Sequence, residues 1–145
     1  FHLYGVKGKD ITVIPGFFYL NFSTNTGAAF GSLSDKEWAQ VFFKITTALA
    51  LIGLTVFYYF AADHGNWLKY GLILVIGGAV GNFIDRLCFS EVVDFLSFDF
   101  GWLGAGRFAT FNFADSFLCV GVAMILIHYL FLDKDAVFRF KKHEN

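Results

Sequence analysis

Three stretches of the chain are apolar and free of charge over an unusual length. Ile45–Ala62, between Lys44 and Asp63, runs for 18 residues. Tyr70–Ile84, between Lys69 and Asp85, runs for 15 and is glycine-rich. Ser116–Leu132, between Asp115 and Asp133, runs for 17. A helix that crosses a bilayer needs about 20 mainly apolar residues, within a range of about 17–25. The pattern predicts spans at about 43–62, 68–86 and 115–132, the second lengthened by letting Asp85 and Arg86 sit near the interface. The Asp63–Lys69 connection is short, so the first two spans are predicted to be antiparallel neighbours.

The segments outside the spans carry a different pattern. Asp10–Phe22 is rich in β-branched and aromatic residues and contains the turn signal Pro15-Gly16. It predicts a strand or hairpin over the membrane surface, within about residues 10–32. Phe95–Phe113 is aromatic and dotted with Gly101, Gly104 and Gly106, which predicts strand-like and interfacial pieces. The expected fold is mainly α: one membrane-embedded domain over 1–145, a polytopic transmembrane bundle with a small β-rich element outside the cytoplasm. The tail after Leu132 carries Lys134, Arg139, Lys141 and Lys142. By the positive-inside rule that tail is cytoplasmic, and residues 1–43 and 86–114 fall on the outer face.

Composition agrees with this picture and removes others. Of 145 residues, 57% are hydrophobic and only 16% charged, against about 25% charged in a soluble domain. Disorder is excluded, because disordered chains are polar and charge-rich. Eleven Lys+Arg against twelve Asp+Glu give a net charge of −1 and no basic stripe, which argues against nucleic acid as a partner. Cys88 and Cys119 form no CxxC pattern and read as small apolar fillers. The four histidines are scattered without ligand spacing, and His128, inside an apolar run, reads as a packed or interfacial residue before a proton relay. No metal or cofactor is predicted.

In a membrane chain the informative residues are polar ones at membrane depth. Asn25-Thr26-Gly27-Ala28-Ala29-Phe30 opens a small-residue stretch that also reads as a plain turn before a helix. Asn82, Asp85 and Arg86 sit at i, i+3, i+4 and share a helical face, although a helix end with ordinary interfacial charges reads the same way. Gly77 and Gly81 have the spacing that lets another helix approach. Asp94 lies among apolar neighbours in Val92-Val93-Asp94-Phe95, where desolvation raises a carboxyl pKa. Asn112 and Asp115 stand just before the last apolar run, where either also reads as a helix cap. Together they suggest more: Asp94 and Asp115 meet if residues 86–114 fold back. Two close carboxylates share a proton, giving one base and one acid, the pairing an aspartyl peptidase uses on water. The alternative is a small proton- or ion-conducting protein with Asp85, Asp94 and Asp115 as relay groups.

Four motifs, Asn25-Thr26-Gly27-Ala28-Ala29-Phe30, Gly81-Asn82-Phe83-Ile84-Asp85-Arg86, Val92-Val93-Asp94-Phe95 and Phe111-Asn112-Phe113-Ala114-Asp115-Ser116, occur in the order seen in the lipoprotein signal peptidase (signal peptidase type II) family, which the chain resembles from about Ile11 to about Leu132. The resemblance implies a multi-pass endopeptidase of the bacterial inner membrane with its active site towards the extracytoplasmic face. It implies cleavage of prolipoprotein signal peptides just before a diacylglyceryl-modified cysteine, contact with membrane lipids and inhibition by globomycin. It maps the catalytic pair onto Asp94 and Asp115, with Asn25, Gly27, Asn82, Asp85, Arg86 and Asn112 as supporting positions. On this reading Asn25 and Asn112 hold the substrate backbone, and Arg86 pairs with an acidic neighbour or a lipid headgroup, Asp85 being the local acidic candidate. The family has four spans, so a first transmembrane helix is expected before Phe1.

Overall fold

A computed structural model describes residues 9–25, 36–108 and 110–137. Strands β1 (Asp10–Ile14) and β2 (Phe18–Asn25) form a hairpin, followed by helix α1 (Glu37–Phe60) and helix α2 (Asn66–Phe89). Strand β3 (Val92–Phe98) and helix α3 (Phe113–Ile127) complete the fold, and a π-helical turn, His128–Leu132, extends α3. Three helices, Glu37–Phe60, Asn66–Phe89 and Phe113–Leu132, are long and apolar enough to cross a membrane. They start and stop at residues other than the charges that bracket the apolar runs. Lys44, Asp85 and Arg86 all lie inside helices, because a charge near a membrane surface does not end a helix. Most large apolar side chains point outward, among them Leu49, Ile52 and Phe60. In water this would be untenable, and in lipid it is the expected surface.

The hairpin has the turn its sequence demands. Phe17 N–H donates to Ile14 O at 3.0 Å, Pro15 occupies the first central position and Gly16 the second with φ +73°. A type II turn requires that positive φ. The sheet order is β1-β2-β3, antiparallel throughout. β2 and β3 are therefore on one side of the helices, so the segments before α1 and after α2 share a face. Beyond β3, Leu96 and Phe111 exchange main-chain hydrogen bonds of 2.8 and 2.9 Å. Arg107 stitches the intervening loop to the sheet, donating from Nε to Ser97 Oγ at 2.8 Å and from Nη1 to Asp10 Oδ2 at 2.7 Å. Part of the phenylalanine content forms a layer here: Phe98 stacks on Phe18 at 4.7 Å and on Phe111 at 5.8 Å.

Helix packing is tightest between α2 and α3, and it rests on glycine. A Cβ at Gly78 would lie 2.5 Å from Ala114 O, and one at Gly121 would lie 2.6 Å from Gly71 O. The predicted pair was Gly77 and Gly81. Gly81 does face Ala114, with a built Cβ 3.2 Å from its Cβ, but Gly77 faces open space. One residue turns a helix by about 100°, so the close-approach stripe runs through Gly71 and Gly78 instead. Near the α1–α2 connection, Leu68, Leu72 and Ala61 form a small buried core. Trp67 Nε1 donates to Met124 O at 2.8 Å, tying the start of α2 to α3.

Candidate active site

The end of α2, the middle of β3 and the start of α3 converge on one polar network. Each element reaches it for a local reason. α2 stops at Ser90, whose φ of 56° and N–H to Arg86 O make a left-handed cap, and the chain turns straight into β3. The Leu96–Phe111 pairing returns the chain alongside β3, so Asn112, the next residue, stands beside Asp94. Asn112 then caps α3: its Oδ1 accepts from Asp115 N–H at 2.9 Å, and Asp115 Oδ2 accepts from Asn112 N–H at 3.2 Å. This reciprocal capping box satisfies two main-chain donors at a helix start.

The cap is also the junction of the two acids. The Asn112 amide stands 3.2 Å from Asp94 Oδ1, 3.0 Å from Asn82 Oδ1 and 3.2 Å from Val93 O, so its two hydrogens serve three acceptors. Asn82 passes the chain on, donating from Nδ2 to Asp115 Oδ1 at 3.0 Å. Asp94 and Asp115 thus each bond directly to Asn112, although 21 residues separate them in sequence. Capping at Asn112 and Asp115 occurs together with hydrogen bonding of both acids to Asn112. Asp94 and Asn112 are both buried, at 5% exposure. Burial pushes the Asp94 carboxyl up to about 6, and the nearby negative charges of Asp115 and Asp85 push the same way; Arg86 and the Asn112 hydrogen bond pull it down.

Two expected roles change. Asp85 does not pair with Arg86: its Oδ2 accepts from Val93 N–H at 3.1 Å, fastening β3 to α2. The Arg86 guanidinium lies over the Phe43 ring, 5.6 Å from its centroid, and makes no ion pair with Asp85 among the described residues. A part-buried main-chain N–H competes for the carboxylate, and an aromatic face takes the cation. The Asn112 side-chain amide makes its hydrogen bonds within this network. Asn25 ends β2 opposite Val92, two positions from Asp94, and Gly27 lies outside the described residues. Sequence reasoning missed the Val93 main chain, whose N–H and C=O both enter the network; a peptide group carries no residue-type signal.

A cleft of about 460 Å³ adjoins the network. Asn82, Asp85 and Asn112 give it a polar floor, and Phe22, Phe95 and Phe113 give it apolar walls. Such a mixture fits a ligand with a polar backbone and apolar substituents. Asp85, Asp94 and Asp115 gather at one end of the helices, around this network.

A family model described as "Signal peptidase (SPase) II" matches residues 2–131. The chain belongs to the signal peptidase II family. As a member it is a protease. A protein named lipoprotein signal peptidase from Syntrophotalea carbinolica is 44% identical over 119 residues, 82% of this chain and 72% of that one. Those of Bacillus pumilus and of Streptococcus pyogenes serotype M1 are 42% and 44% identical, covering 85% and 83% of this chain and 76% and 74% of theirs. A bacterial membrane enzyme solved by the in meso method at 1.9 Å shares the fold with a TM-score of 0.74 and 38% identity, over 89% of this chain and 79% of that one. A second, at 2.3 Å, gives 0.75 and 37%, over 97% and 80%. The family's motifs are therefore carried on a backbone shared with solved bacterial membrane enzymes, with the acids where α2, β3 and α3 meet.

Proposed function

We propose that the chain removes signal peptides from prolipoproteins as an aspartic endopeptidase, cutting before a diacylglyceryl-modified cysteine. The observation that carries this reading is the convergence of Asp94 and Asp115 on one residue, Asn112, whose side-chain amide donates to Asp94 and whose main-chain N–H donates to Asp115, beside an aromatic-walled cleft. Water held between the two acids gives up a proton to whichever is ionised, and its oxygen adds to the scissile carbonyl carbon. The protonated acid hydrogen-bonds the carbonyl oxygen as negative charge develops there. Collapse breaks the C–N bond, and a proton from the pair goes to the leaving amine. Asn82 and Asn112 orient the acids, Asp85 anchors β3, Asn25 and Gly27 border the substrate strand, and the Arg86 charge favours ionised Asp94. The acyl chains of the substrate remain in lipid while its peptide crosses the cleft. The protein sits in the bacterial inner membrane with the cleft towards the extracytoplasmic side, and globomycin inhibits it.

The test is cleavage of a diacylglyceryl prolipoprotein by purified Asp94→Asn and Asp115→Asn variants, with globomycin as a control on the wild type. Each variant is expected to lose at least ~10²-fold in turnover, the usual cost of removing a general acid or base, while remaining folded. Near-normal turnover by either variant refutes the pair.

A further inference from the structure

At the other end of the helices three side chains converge that peptide hydrolysis does not use. His64 closes the turn between α1 and α2, His128 opens the π-helical turn that ends the third span, and Asp133 follows it. Asp133 Oδ2 stands 3.5 Å from His64 Nδ1 and 3.3 Å from His128 Nε2. One ligand atom from each lies within 4.8 Å of the others. His128 is 4% exposed, and its Nε2 is buried with no hydrogen-bond partner. The 3.3 Å approach to Asp133 therefore lacks the geometry of a hydrogen bond. A buried imidazole nitrogen left this way costs stability unless a further partner sits between the groups.

The backbone prepares the arrangement. Asp133 N–H donates to His128 O at 2.8 Å, the i→i+5 bond of a π turn. In a regular α-helix residues five apart point about 140° away from each other; the wider turn brings them over one another, and such turns recur at functional sites. Asp135 N–H donates to Asp133 Oδ1 at 2.9 Å, which fixes the carboxylate with Oδ2 towards the imidazoles. Outer hydrogen bonds of this kind orient metal ligands. The groups border a cavity of about 330 Å³ that Asp63 and Lys134 also line.

We propose that His64 Nδ1, His128 Nε2 and Asp133 Oδ2 bind a divalent cation of the zinc class, with the fourth position open to this cavity. Two imidazoles and one carboxylate suit zinc; magnesium and calcium take oxygen shells. Tetrahedral zinc with bonds of about 2.0–2.1 Å holds its ligand atoms about 3.3–3.4 Å apart, close to the 3.3 and 3.5 Å found here. The remaining His64–His128 edge closes by rotation of the His64 side chain, which is 44% exposed. The cation clips the α1–α2 turn to the end of the third span, about 25 Å along α2 from the acids. Lys134 at the cavity rim opposes it and Asp63 favours it. The competing arrangement is a plain histidine–carboxylate ion pair.

The full chain, purified in detergent without a polyhistidine tag and stripped with EDTA, is loaded with ZnCl2 or CoCl2 and desalted. One zinc per chain, an intense visible spectrum from four-coordinate cobalt and a zinc-dependent rise in Tm are expected. His128→Gln and Asp133→Asn each weaken binding at least ~100-fold, since even outer-shell losses cost 10–100-fold. His64→Gln, on the exposed turn, gives the same loss without disturbing helix packing. Retention well below one zinc per chain leaves the ion pair only and overturns the proposal. So does zinc held equally well by all three variants.

Discussion

Gly78→Ala puts a methyl group where α3 leaves no room. Its Cβ lies 2.5 Å from Ala114 O, whereas ordinary contact begins at 3.4 Å. The other neighbours, Leu118 Cγ at 2.8 Å and Leu118 N at 3.1 Å, block escape along α3. The helices must separate by about 0.9 Å. Ala114 precedes Asp115, and Asn82 lies one turn beyond Gly78. The Asn82–Asp115 bond of 3.0 Å would stretch to about 3.9 Å, beyond hydrogen-bonding range. Misplacing a catalytic group by ~1 Å costs about 10²-fold in rate, and overpacking costs about 1–3 kcal/mol. Glycine to alanine in a helix otherwise gains about 0.5–1 kcal/mol, so any loss runs against intrinsic propensity. Gly77→Ala is the internal control, because nothing lies within 4 Å of its Cβ. Turnover on a lipidated prolipoprotein and Tm in detergent are measured for both variants. Gly78→Ala should lose ~10²-fold and melt lower, with Gly77→Ala at or slightly above wild type. Equal turnover and Tm for the pair would refute the claim that this crossing sets the site.

Asn112→Ala removes the α3 cap and leaves the part-buried Asn82 Oδ1 and Val93 O without their donor. A lost cap of about 1 kcal/mol and orphaned acceptors of about 1–3 kcal/mol predict lower stability together with at least ~10²-fold lower turnover. Asp94 sits at about 6 when folded against 3.8 as a free side chain, so the folded state carries the extra proton between about pH 4 and 6 and loses stability as pH rises through that window. Asp94→Asn cannot ionise; its Tm relative to wild type should climb from pH 4 to 6 and then level, and a flat difference refutes the assignment. Removing the Asp85 charge lowers the Asp94 pKa, so Asp85→Asn should move the alkaline limb of kcat/KM to lower pH; an upward shift contradicts the causes given above.

The spans were legible because lipid demands one long apolar run per crossing, and the Pro15-Gly16 hairpin because its turn chemistry is local. The acids were legible as polar residues where polarity is costly. Helix rotation was not: Gly77 and Gly78 differ by a turn of about 100°, and only contact with Ala114 and Leu118 of α3 distinguishes them. Asp85 and Arg86, adjacent in sequence, invited pairing, but Val93 N–H and the Phe43 ring are reached only after folding. His64 and His128 looked scattered because 64 positions separate them; the clustering depends on antiparallel helices and a π turn, neither written in residue spacing.

β2 and β3 pair with Ser23 opposite Asp94 and Asn25 opposite Val92, after an irregularity between Leu20 and Ser23. Side chains alternate faces along a strand, so a slip of one position turns every one of them over. Such a slip would swing Asp94 out of the network with all three hydrophobic helices untouched. The setting of the two acids thus depends on the small sheet as well as on the helix crossing. An insertion in that ribbon would leave a correctly inserted protein with a disarmed blade.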